Sequence, residues 1–164
     1  NEKLTKTKED IPTDAHLNEL VDEMFIFKIN PGVYLNFKDS IKLCDKKDVK
    51  KVIDKLLNKY KFITFGFMRE QINEKLGYGL SNYYYDSLSR ILSKENSWFY
   101  RTNYLSKKLE KKINLQDYVI DVYNWSLTSK ENFEILSKKI GITKICYSGI
   151  IYKPEFKFNM KASD

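Results

Sequence analysis

Between residues 82 and 108 the chain gathers side chains suited to hydrogen bonding with bases and phosphates. They are Asn82, Tyr83, Ser89, Arg90, Ser93, Lys94, Arg101, Lys107 and Lys108. Asn pairs bidentately with adenine and Arg with guanine. The hydroxyls of Tyr83, Ser89 and Ser93 suit phosphate or base. Lys94, Arg101, Lys107 and Lys108 suit backbone phosphates, contacts that give affinity without sequence preference and weaken steeply with salt. Asp86 falls among the same side chains, and its carboxylate works against phosphate binding.

Catalysis has far less to draw on. The single histidine, His16, has no nucleophile near it in sequence, and the two cysteines, Cys44 and Cys146, stand about a hundred residues apart. That spacing argues against a zinc site or a redox pair and predicts two buried free thiols in a reducing cytoplasm. Neither a phosphate-cradling glycine loop, a dinucleotide fingerprint nor a nucleophile elbow occurs in the sequence. The expectation is a protein that is not an enzyme and uses no cofactor or metal.

Charge points the same way. Residues 41–112 hold 17 Lys and Arg against 8 Asp and Glu, or +9; the remainder holds 12 against 14, or −2. An excess of lysine confined to the middle of a chain is what an electrostatic footprint on phosphates looks like. No apolar run approaches the roughly 18 residues of a membrane span, and the first twelve residues are polar and charged, unlike a signal peptide. A cytoplasmic protein without a membrane partner is expected.

The elements that must position these side chains follow from hydrophobic spacing. Thr13 caps a helix running to Met24, with Leu17, Leu20, Val21 and Met24 on one face. "FIFKINPGVYLNF" alternates around Pro31-Gly32 and reads as a hairpin. In 46–60, Val49, Val52, Ile53, Leu56, Leu57 and Tyr60 make one apolar stripe. "KFIT" is a short extended link. A helix over 65–76 buries Phe65, Met68, Ile72 and Leu76 and stops at Gly77. Ser81 caps a further helix over 82–94. At 100° per residue, Tyr84, Tyr85, Leu88, Ile91 and Leu92 share its buried arc. Asn82, Tyr83, Asp86, Ser89, Arg90, Ser93 and Lys94 share the other, which is expected to face water. "SWFYRTNYLS" reads as a second hairpin. Beyond it, 115–125 is helical, "TSKE" is a capping box opening a helix that stops at Gly141, and "KICYSGIIYKPEFKF" reads as strands around Ser148-Gly149.

These segments recur with a period near 65–70 residues. Thr13 and Ser81 are 68 apart, Tyr34-Leu35 and Tyr104-Leu105 are 70 apart, and "VID" recurs after 67. The expected organisation is a polar tail (1–12), a partial unit (13–40), a complete unit (41–112) and a partial third unit (113–164). The fold class is mainly α with small β-hairpins, an α+β chain of tandem or partly repeated units.

The order in the complete unit is helix, short strand, helix, tight turn, helix, hairpin. With "VIDKLLNKY", "FGFMREQINEKLG", "LSNYYYDSLSRIL" and the aromatic "WFY" wing, it resembles the winged helix-turn-helix. Among bacterial versions it resembles the HARE-type winged helices of RNA polymerase-associated and restriction-associated proteins. "PGVYL" matches the Gly-x-Tyr-Leu ending of such wings, whereas "RTNYL" lacks the glycine. The resemblance implies a transcription-associated or mobile-element-associated regulator that binds double-stranded DNA. The 82–94 helix would lie in the major groove and the wing on phosphates. By the same alignment the first unit exposes Asp14, Asn18 and Asp22, which repel phosphate. That makes it a surface for a protein partner or a homodimer contact. The alternative reading is a winged-helix protein-interaction module with no role on nucleic acid, since fold does not settle function; an exposed apolar patch around Trp125, Tyr147 and Tyr152 would mark it.

Overall fold

The computed structural model describes residues 13–107 and 113–157. Helix α1 (Asp14–Asp22) opens on Thr13, whose side-chain oxygen accepts the His16 N–H at 3.2 Å. It closes two residues short of the expected Met24, which instead turns the chain at φ 63°. Strands β1 (Ile26–Asn30) and β2 (Val33–Asn36) form the expected hairpin, with Phe27 opposite Leu35 and Gly32 at φ +68° in the turn. A short helix, α2 (Phe37–Ser40), and one 3-10 turn lead on to the central helices.

Helix α3 (Lys46–Lys59) is capped by Asp45, whose carboxylate accepts from the Lys47 and Asp48 amides. It buries Val49, Val52, Ile53, Leu56 and Leu57, the stripe its spacing requires. Strand β3 (Ile63–Thr64) leads into α4 (Phe65–Leu76), which ends on Gly77 in the left-handed conformation, φ 72°. Helix α5 (Asn82–Asn96) starts at its Ser81 cap and ends at Ser97, φ 55°. Strands β4 (Phe99–Tyr100) and β5 (Tyr104–Ser106) complete an antiparallel sheet of order β3-β5-β4. The last third is α6 (Leu115–Val122), α7 (Ser129–Leu136) and α8 (Lys144–Ile151). The architecture is thus α+β, helices with two small antiparallel sheets. Among the described residues no helix is long and apolar enough to cross a membrane.

The β3–β5 pair is a wall shared by two cores. Side chains alternate across a strand. Ile63 and Leu105 therefore face a core with α3, α4 and α5, while Phe62 and Tyr104 face a second core with Val119, Leu136, Ile140, Tyr147, Ile150 and Phe156. Gly141 joins the wall as a buried bridge parallel to Ile63, its N–H donating to the Phe62 carbonyl at 2.8 Å.

One element differs in kind from its sequence reading. "KICYSGII" is the helix α8, not a strand pair around Ser148-Gly149. Its β-branched and aromatic residues alternate as in a strand. The second core overrides that preference by burying Tyr147 and Ile150, one helical turn apart. The Tyr147 hydroxyl donates to the Ser129 carbonyl at 2.8 Å, and Thr143 caps the helix by accepting from the Cys146 amide. Further along the same expected strand region, residues 154–157 are helical as well; its last residue, Phe158, residues 159–164 beyond it, and the polar tail, 1–12, lie outside the described residues.

Candidate nucleic-acid interface

Tyr84 and Tyr85 are buried as expected, at 1% and 0% exposure, but the opposite side of α5 is not open to water. Helix α1 and strand β1 lie across it. The Lys28 amide donates to Ser87 Oγ at 3.1 Å, Ser87 donates back to the Lys28 carbonyl at 3.1 Å, and the Ser81 hydroxyl donates to the Ile29 carbonyl. Phe27 inserts beside Tyr84 with ring centroids 4.9 Å apart. The covering layer is therefore part of the first core.

This corrects the exposure expected of several side chains. Ser89 is fully buried, its hydroxyl 3.3 Å from Met68 Sδ, and Ser93 is buried and donates to the Arg90 carbonyl at 2.9 Å. A helical wheel assigns one buried arc, whereas α5 has neighbours on both sides: α4 on one, α1 and β1 on the other. The signal that marks such a helix is the set of small hydroxyls Ser87, Ser89 and Ser93, which let neighbouring backbone approach closely.

Arg90 is turned inward. Its side chain is 15% exposed, and Nη1 lies 3.4 Å from both carboxylate oxygens of Asp22. Nε is 4.0 Å from Asp86, and the guanidinium sits 4.5 Å from the centre of the Tyr100 ring. Lys94 donates to the Asp22 carbonyl at 3.1 Å. Asp22, expected to face water and repel phosphate, instead pairs with the guanidinium meant for guanine. Asn82 and Tyr83 are half-buried and line an open cleft of about 280 Å³ with Thr102, Asn103 and Cys146; the Lys28 ammonium lies 5.0 Å from the Tyr83 ring. Arg101 is half-buried and held by the Tyr100 carbonyl at 3.1 Å. Lys107 is exposed, and Lys108 lies outside the described residues.

Burial pushes the Asp86 carboxyl above its usual range, against the Tyr100 hydroxyl it accepts from and the positive charges of Arg90 and Lys28; Asp22 adds to the rise. A raised folded-state value contributes stability that is fully present below the unfolded value of about 4 and is lost as pH rises through the folded one. Asp86→Asn removes that dependence. Thermal unfolding at pH 4 and pH 7 will show the variant gaining on the wild type toward pH 7; a difference independent of pH would contradict the raised carboxyl.

A different lysine surface emerges that spacing did not single out. The β3–β5 register pairs Ile63 with Leu105 and Thr64 with Tyr104; continued two residues, it sets Lys61 opposite Lys107. On the other side of Lys61, its amide donates to the Lys139 carbonyl at 2.9 Å. Three segments distant in sequence thus run side by side with an exposed lysine on each. Lys107 Nζ donates to Asn58 Oδ1 at 2.6 Å, which joins the end of α3 and Lys59 to the same surface. Aromatic rings stand among the lysines: Lys59 is 5.1 Å from the Tyr60 ring centre and Lys61 5.5 Å from that of Tyr118. Only Lys107 of this group was marked by the sequence. The others required knowledge of which strands pair.

Among the described residues no cluster of three or more His, Cys, Asp or Glu side chains is placed to hold a metal. Cys44 is buried beside the Tyr84 hydroxyl at 3.3 Å, and Cys146 is half-buried; burial raises both thiols, so neither is a poised thiolate. Comparison with protein-family models, with curated proteins and with solved structures finds no match for this chain.

Proposed function

We propose that this chain is a winged-helix DNA-binding protein of the HARE kind that holds duplex DNA by its phosphates, at the surface of Lys59, Lys61, Lys107 and Lys139. The observation that carries the reading is that three segments distant in sequence run beside one another as backbone, each with an exposed lysine. The succession α3, β3, α4, α5, β4, β5 with sheet order β3-β5-β4 supports the winged-helix assignment. Helix α1 followed by the β1–β2 hairpin echoes α5 followed by β4–β5, which supports a repeated plan. A regulatory role in transcription or on a mobile element belongs to the same proposal. Groove reading by α5 does not, because Arg90, Ser89 and Ser93 are committed to α1, α4 and α5 itself.

Duplex binding followed by fluorescence anisotropy from 50 to 200 mM salt tests it. The triple variant Lys61→Gln, Lys107→Gln, Lys139→Gln will bind more weakly, and its log–log salt slope will be shallower by about 2–3, close to one for each phosphate no longer neutralised. Absence of binding at 50 mM salt, or an unchanged slope in the triple variant, ends the proposal.

The second reading, a protein-interaction module, has one observation in its favour: the face of α5 that a winged helix offers to partners already holds a protein segment, and Phe25 beside it is 62% exposed. Of the patch around Trp125, Tyr147 and Tyr152 that would mark this reading, only Tyr152 is exposed; Tyr147 is buried, and half-buried Trp125 packs against Tyr123 and Phe156.

A further inference from the structure

We propose that the open cleft between α5, the β4–β5 turn and α8 is a binding site for a single unpaired nucleobase that carries an exocyclic amine. The cleft measures about 280 Å³ and is lined by segments far apart in sequence. Beside α5 and the turn, α6 brings Leu115 and α8 brings Cys146, so the site exists only where the two cores meet. Junctions of this kind are a common place for ligand sites, and drug-sized ligands take roughly 300–1,000 Å³. This cleft therefore suits a base or a nucleoside and nothing much larger.

The lining disfavours phosphate and favours a base. It contains no lysine or arginine, and its one carboxylate is Asp86. Asp86 Oδ1 accepts from the Tyr100 hydroxyl, and Arg90 Nε stands 4.0 Å from the same oxygen. Among the described residues no donor reaches Oδ2, so an amine of the ligand has an acceptor waiting. Burial raises this carboxyl, the mark of a charged form short of partners. The acceptor is held in place, because the Tyr100 ring stacks on Phe65 with centroids 5.5 Å and planes 27° apart. The side-chain amides of Asn82 and Asn103 also have no hydrogen-bond partner among the described residues. Each offers a donor and an acceptor side by side, the pattern that meets the edge of a base bidentately. Asn103 is presented at the tip of a tight turn, closed by the Arg101 amide donating to the Tyr104 carbonyl at 2.9 Å. Tyr83 adds an aromatic ring to the lining. Stacking on such a ring tolerates any base, so selection falls to the hydrogen bonds.

Cys146, half-buried in the lining, is the reporter. The full chain is alkylated with iodoacetamide under native conditions, and each thiol is followed by mass spectrometry. Adenosine or cytidine at millimolar concentration will slow modification of Cys146 at least threefold, and thymidine, which lacks the amine, by less than twofold. Asn82→Ala with Asn103→Ala will cut the protection by adenosine to less than twofold. Adenosine will protect the Lys61, Lys107, Lys139 triple variant as it does the wild type, which separates this site from phosphate binding at the lysine surface. A duplex with one bulged adenine that protects at lower concentration than its fully paired counterpart assigns the base to nucleic acid; equal protection by the two duplexes, with adenosine still active, assigns the site to the free nucleoside. No slowing by either nucleoside, equal slowing by thymidine, or protection unchanged in the double variant overturns the proposal. Parallel slowing at Cys44, buried in the first core, would report a tighter fold instead of an occupied cleft and would overturn it as well.

Discussion

Phe27→Ala will lower the unfolding free energy by about 3–5 kcal/mol, the range for truncating a fully buried aromatic side chain. Phe27 is 0% exposed, with Tyr84 4.9 Å and Phe37 6.2 Å away between ring centroids. It is also the anchor that holds β1 on α5, and the flanking hydrogen bonds run through backbone groups of Lys28 and Ile29. Urea denaturation reads the result. The single cooperative transition will move to lower urea, because the hairpin is part of the first core. A main transition that stays in place while only the hairpin detaches would show that the hairpin is a removable flap. In that case α5 would regain an open face, and groove reading by Arg90 would have to be tested directly. For a domain whose total stability is typically about 5–15 kcal/mol, the expected loss is a large share.

Gly141→Ala will be destabilising, because among the described glycines it is the one where an added Cβ runs into neighbouring side chains. A Cβ at this position meets Phe67 Cδ1 at 2.5 Å, Ile63 Cγ2 at 2.7 Å and Phe67 Cε1 at 2.8 Å. All three distances are well inside van der Waals contact. Retreat is restricted, since the Gly141 carbonyl accepts from the Thr64 amide at 2.8 Å and from its hydroxyl at 3.0 Å, and the Gly141 N–H is bound to Phe62. Overpacking of this sort costs about 1–3 kcal/mol, with the upper end expected where backbone hydrogen bonds hold the site closed. Gly149→Ala is the matched control. Nothing lies near its added Cβ, and alanine in a helix is favoured over glycine by roughly 1 kcal/mol, so this variant will be at least as stable as wild type. Denaturation midpoints that move the same way in both variants would contradict the close approach at Gly141. Because this glycine joins the second core to the shared strand wall, its substitution will also weaken the alignment of Lys139 with Lys61.

What could be read from the sequence has a common character. The stripe from Val49 to Leu57 placed α3 within a residue of its observed end, Gly77 stopped α4, and Ser81 and Thr13 opened their helices. Tyr84 and Tyr85 could be assigned to the core because hydrophobic periodicity is a property of one helix and its nearest face. The hairpin at Pro31-Gly32 and the short β4–β5 pair followed from turn residues and alternation. In each case the determining interactions lie within about a dozen residues along the chain, where local sterics, capping and apolar spacing agree.

The tertiary structure decided the rest, and the physical reason is burial by distant segments. Whether the polar side of α5 meets water depends on where α1 and β1 come to rest, some sixty residues earlier; Arg90 therefore became a half-buried partner of Asp22 instead of a free guanidinium. Whether "KICYSGII" is strand or helix depends on the pocket that receives Tyr147 and Ile150, which no local preference encodes. The alignment of Lys61, Lys107 and Lys139 exists only because β3 pairs with β5 on one side and lies against Gly141 on the other. Composition fixed how much positive charge the chain carries, and long-range pairing fixed which lysines stand together to use it.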